Sequence, residues 1–84
     1  MTVPKYPEGC DVSNNNGRVD WAAVARSGIQ FGFAKASEGI GFRDTYFPRN
    51  FADMQANGLV RGAYHFGRPD QSTAVDEAQY FLSV

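Results

Sequence analysis

Phe31-Gly32-Phe33-Ala34-Lys35-Ala36-Ser37-Glu38 is an apolar run that closes on charged and hydroxyl groups, and its reading decides the fold. Two other runs share this form: Gly9-Cys10-Asp11-Val12-Ser13 and Val60-Arg61-Gly62-Ala63-Tyr64-His65-Phe66. A helix-like segment follows each. The unbroken apolar stretch from about Gln30 to Ala36 fits a strand covered on both faces, as in parallel sheets. Parallel alignment of the three runs would gather Asp11, Lys35, Glu38, Tyr64 and His65 on one rim of the sheet. Barrels of alternating strands and helices carry their chemistry on that C-terminal rim.

The connecting segments carry their own punctuation. Asn14-Asn15-Asn16-Gly17 reads as a loop, because Asn and Gly accept the left-handed backbone of tight turns. Asp20 is a good N-cap for a helix with Trp21, Val24 and Ala25 on one face, and Gly28 is its stop. Ser37-Glu38-Gly39 is expected to turn the chain after the second strand. A second helix opens near Phe47-Pro48, where proline is tolerated in the first turn. Phe47, Phe51 and Met54 recur at i, i+4 and i+7 as its buried stripe, and Gly58 ends it. Gly67-Arg68-Pro69-Asp70 is a loop, after which Ser72 or Thr73 caps a third helix bearing Ala74, Ala78 and Phe81. The order is β-α-β-α-β-α, which predicts an α/β fold with a parallel sheet and right-handed crossovers.

Eighty-four residues make one small domain, with residues 1–8 as an extended lead-in and 9–84 as the folded part. A closed eight-fold barrel takes about 250 residues, so three units form an incomplete, TIM-like barrel. Such a piece leaves a sheet edge open, through which self-association is expected. A net charge of −1 provides no basic field for nucleic acid or an anionic membrane. No apolar stretch reaches the roughly 20 residues that cross a bilayer, and the first residues lack the apolar core of a signal peptide. One cysteine, Cys10, and one histidine, His65, cannot build a disulfide framework or a metal site by themselves. There is no phosphate-binding glycine loop and no serine-hydrolase elbow, and no cofactor is implied.

Each rim residue has a functional and a structural reading. Asp11 lies in an apolar strand, where ionised carboxylates are rarely placed without a partner or a task. It either points into the mouth of the sheet or caps the Ser-Asn loop that follows. Lys35 needs a carboxylate to offset its burial; Asp11 and Glu38 are the candidates, and pairing would depress the carboxylate pKa. Glu38, in a Ser-Glu-Gly turn, is either solvated or part of that pair. Tyr64 and His65 are neighbours and cannot face the same side of a strand. Tyr64 could stack on a sugar or sit in the core, and His65 could contact substrate or be a satisfied structural histidine.

Taken in order, these segments resemble the family 25 glycoside hydrolases, the muramidase-type lysozymes. The likeness runs through Gly9-Cys10-Asp11-Val12-Ser13, Val19-Asp20-Trp21, Lys35-Ala36-Ser37-Glu38-Gly39, Asp44-Thr45-Tyr46-Phe47, Gly62-Ala63-Tyr64-His65-Phe66 and Arg68-Pro69. It implies a peptidoglycan hydrolase that acts extracellularly on the cell wall. Its bond would be the β-1,4 link between N-acetylmuramic acid and N-acetylglucosamine, and its partner the peptidoglycan glycan strand. Asp11 matches a catalytic aspartate of that family, and Lys35 and Glu38 match residues lining its groove; Tyr64 and His65 are expected to contact the sugar. Two departures accompany the match. Asn14-Asn15-Asn16 replaces an aromatic loop, and the Asp-x-Glu pair that supplies the family's general acid occurs nowhere in these residues. The alternatives are a non-catalytic glycan-binding module or a half-barrel completed by a partner chain.

Overall fold

The computed structural model describes residues 6–84. Most of the expected lead-in, residues 1–5, lies outside the described residues. Four strands and three helices follow: β1 (Gly9–Val12), α1 (Trp21–Arg26), β2 (Phe31–Glu38), β3 (Phe42–Arg43), α2 (Phe47–Ala56), β4 (Val60–Phe66) and α3 (Ala74–Leu82). β2 is central. It pairs in parallel with β1 on one side and with β4 on the other.

The helix boundaries follow local chemistry. The Asp20 side chain accepts from the Ala23 N–H at the start of α1, and the Thr73 side chain accepts from the Asp76 N–H at the start of α3. Pro48 occupies the first turn of α2. Gly28 and Gly58, with φ of 97° and 78°, sit just beyond α1 and α2, in backbone that a side chain would disfavour.

Two features depart from the expected pattern. β2 does not turn at Ser37 but runs on to Glu38, and the two-residue β3 folds back antiparallel to it, pairing Ser37 with Arg43 and Glu38 with Phe42. The sheet is therefore mixed and open. The second departure is a register shift between β2 and β4, where Lys35 faces Tyr64 and Ser37 faces His65, so that Ala36 is an extra residue. A bulge of this kind reverses which face the following side chains occupy.

The helices cover one face of the sheet. Val12, Ala34, Trp21, Met54 and Leu59 form the core there, with Cys10, Val24, Ile29 and Phe47 packed against it. Trp21 is buried, and its Nε1 donates to Asn50 Oδ1 at 3.0 Å, which places a polar residue in the middle of the expected α2 stripe. Phe47 and Phe51 are only half-buried beside it, with ring centroids 5.0 Å apart. On α3 the buried residue is Glu77, whereas Ala74 and Ala78 are exposed.

Candidate active site

The face of the sheet away from the helices carries the candidate residues. Side chains alternate along a strand. Val12 packs into the core, so Asp11 projects to the open face, where it shares a cavity of about 480 Å³ with Phe33, Tyr64 and Phe66. Asp11 is exposed and caps no loop; the turn at Asn14–Asn16 is capped instead by Ser13, whose hydroxyl accepts from the Asn15 N–H. Tyr64 reaches over the same cavity. Burial, and then the nearby Asp11 carboxylate, raises its phenol pKa.

Lys35 is buried on this face and pairs with Glu38, not with Asp11: Nζ lies 2.5 Å from Glu38 Oε1. Without the bulge, residues three apart on a strand would point to opposite faces; with Ala36 inserted, both point into the cleft. The ammonium also sits 4.9 Å from the centre of the Phe42 ring and 5.2 Å from that of Phe66. Those two rings flank the cation on strands β3 and β4. Arg68 completes the cluster from the loop after β4, with Nε 2.7 Å and Nη2 2.5 Å from Glu38 Oε2. Hydrogen bonds from Lys35, then from Arg68, hold the Glu38 carboxyl below the usual carboxylate range.

His65 lies on the other face. Its Nε2 is 2.8 Å from Glu77 Oε1 and its Nδ1 is 2.8 Å from Ser37 Oγ, while its ring meets Phe81 edge-on. A carboxylate only accepts, so Nε2 donates to Glu77, while Nδ1 shares a hydrogen bond with the Ser37 hydroxyl. The structure therefore does not bring His65 together with Asp11, Lys35, Glu38 and Tyr64. Ser37, His65 and Glu77 resemble a nucleophile–base–acid series, but Ser37 is fully buried and out of reach of any substrate.

Two acids carry weight that the sequence reading did not assign. Glu77 accepts from His65, from the Arg68 N–H at 2.9 Å and from Ser72 Oγ at 2.9 Å, so α3 anchors the loop that presents Arg68. These hydrogen bonds, that of His65 foremost, lower its pKa. Asp44 is buried between β3 and α2 and accepts from the Asn14 N–H at 2.7 Å and the Tyr46 N–H at 2.8 Å, tying the loop after β1 to the segment that joins β3 to α2. Both look like surface acids in the sequence. Asp44 sits in a motif of the resemblance, which was the one signal available for it. Among the described residues no group of three or more His, Cys, Asp or Glu could hold a metal ion.

An acidic side chain beside aromatic rings and a buried cation, at the C-terminal ends of parallel strands, suits a sugar cleft. The sequence pattern of Glycosyl hydrolases family 25 matches residues 10–84. The chain belongs to this family. Lysozyme M1 of Streptomyces globisporus is 40% identical over 76 residues, covering 90% of this chain and 26% of that protein. Among solved structures, a muramidase from Acremonium alcalophilum matches with a TM-score of 0.89 at 36% identity, over 93% of this chain and 38% of that one. A family 25 lysozyme from Aspergillus fumigatus matches with a TM-score of 0.86 at 41% identity, over 89% and 36% of the two chains. The family 25 chain described here thus spans about a quarter to two-fifths of the length of the proteins it matches.

Proposed function

We propose that this family 25 chain is the N-terminal part of a peptidoglycan hydrolase, with residues 9–84 forming the first three β/α units of a TIM-like barrel. The substrate is the peptidoglycan glycan strand, and the reaction is hydrolysis of the β-1,4 bond between N-acetylmuramic acid and N-acetylglucosamine, at the cell wall outside the cytoplasm. One observation carries the reading: Asp11 opens onto a cavity walled by Phe33, Tyr64 and Phe66, next to the Lys35–Glu38–Arg68 cluster.

Glycoside cleavage requires a proton donor for the leaving oxygen and a second group that manages positive charge at the anomeric carbon. Asp11 is suited to the second role because no cation among the described residues pairs with it and its carboxylate faces open space. Lys35 and Glu38 satisfy each other and form the fixed wall of the cleft, where Glu38 and Tyr64 are placed to hold sugar hydroxyls or amides. His65 acts from behind the wall by fixing Ser37 and Glu77 rather than by touching sugar. The general acid, worth about 10²–10⁴-fold in rate, is the Asp-x-Glu pair that the resemblance implies and these residues lack.

The test is product analysis. The complete protein incubated with peptidoglycan should release fragments with muramic acid at the new reducing end, and the 84-residue chain alone should release none. New ends on glucosamine, or no cleavage by the complete protein, would overturn the assignment.

A further inference from the structure

A second, polar pocket of about 440 Å³ adjoins the cleft on the outer side of the Glu38 carboxylate, lined by Glu38, the 39–42 loop, Arg68, Gln71 and Ser72. Three charges meet at its inner wall. Lys35 and Arg68 both sit on Glu38, so two cations share one carboxylate and the cluster carries a surplus of one positive charge. Asp44 makes no ion pair with either cation; its oxygens accept from the Asn14 and Tyr46 N–H groups instead. Lys35 is buried, whereas the Arg68 side chain is 42% exposed, so the surplus reaches solvent through the guanidinium.

The guanidinium is held as a binding group would be. Its Nε and Nη2 edge is committed to Glu38 Oε2, which leaves the Nη1 edge directed away from that carboxylate. Its plane lies near the Phe66 ring, 5.1 Å from the centroid, and its backbone N–H is fixed by Glu77. An arginine fixed in this way loses little freedom on gaining another partner, and its free edge matches a carboxylate. Ile40, 53% exposed at the mouth, adds an apolar contact beside the charge.

We propose that this pocket is a carboxylate-binding subsite, in which Arg68 recognises an acidic substituent on the glycan strand. The inference rests on the peptidoglycan-hydrolase reading, since that strand carries two sources of carboxylate. One is the 3-O-lactyl group of muramic acid when no peptide is attached. The other is the attached peptide. N-acetylglucosamine offers neither, so the subsite would separate muramic acid from its neighbour by charge.

Binding, rather than turnover, tests the subsite apart from the activity. Calorimetry on the complete protein compares glycan strands bearing peptides, strands stripped to the free lactyl carboxylate, and stripped strands with that carboxylate methyl-esterified. The carboxylate responsible should bind about tenfold or more tightly than the ester, a charge-assisted hydrogen bond being strong. Arg68→Gln should remove that preference, and raised salt should weaken it in the unmutated protein, which covers the case of a misfolded variant. Preference by the stripped strands assigns the lactyl group; preference by the peptide-bearing strands alone assigns the peptide. Equal affinity for all three, or a preference that Arg68→Gln retains, overturns the proposal. Absence of cleavage with the preference intact would sink the hydrolase reading and leave the subsite standing.

Discussion

At the residue scale the cleft depends on a few side chains whose settings differ sharply. Asp11 is open and has no cation partner among the described residues, whereas Glu38 and Glu77 accept from several donors that lower their pKa values. A carboxyl whose pKa is lower folded than unfolded adds stability above its unfolded value, about 4.3 for glutamate, and loses it as pH falls through the folded value. Glu77→Gln should therefore melt at a lower temperature than the native sequence at about pH 7, with the gap narrowing toward about pH 3 as Glu77 itself is protonated. A gap that stays constant over that range would mean the Glu77 charge contributes nothing. Packing on the open face is just as specific. A Cβ on Gly62 would lie 2.5 Å from the Phe33 ring, so Gly62→Ala should push that half-exposed ring aside and destabilise by about 1 kcal/mol. Denaturant unfolding measures the loss.

At the scale of elements, the extra residue in β2 decides the site. Lys35 and Glu38 face the same way only because Ala36 is unpaired in the register with β4. Inserting one residue between Tyr64 and His65 should give Ala36 a partner on β4, restore strict alternation, turn Glu38 away from Lys35 and return the Glu38 carboxyl to its ordinary titration range, which carbon-detected NMR reads directly. An unchanged, lowered Glu38 would show that the bulge is incidental. This is also where the sequence stops being legible. Asp20, Pro48, Thr73, Gly28 and Gly58 mark helix ends through local hydrogen bonds and backbone freedom, which adjacent residues determine. The open-face position of Asp11 follows from Val12 in the same way. The bulge and β3 do not follow, because they are fixed by pairing with strands distant in sequence. Lys35 was recognisable as needing a carboxylate, but the choice of Glu38 over Asp11 is a consequence of that register. Glu77 and Asp44 escaped notice because a buried acid is told from a surface one only by the donors around it, and those come from other elements. His65 was ambiguous for the same reason, and α3 decides it.

At the scale of the molecule, all three helices protect one face and leave the other, with Asp11, Phe33, Tyr64 and Phe66, open. That division separates stability from chemistry: the Trp21–Met54 core lies behind the sheet and the candidate cleft in front of it. Exchange of an exposed polar group on the front should then alter turnover without altering folding. Asp11→Asn in the complete protein isolates this, since the amide keeps the shape of the carboxylate and removes its charge. The decisive measurement is kcat/KM for release of muramic acid reducing ends, taken alongside the melting temperature. A drop of at least about 100-fold with melting essentially unchanged is the predicted result, consistent with loss of charge stabilisation at the anomeric carbon. Activity retained within a few-fold would contradict the account, since the cleft would then work without the carboxylate that, among the described residues, faces it with no cation partner.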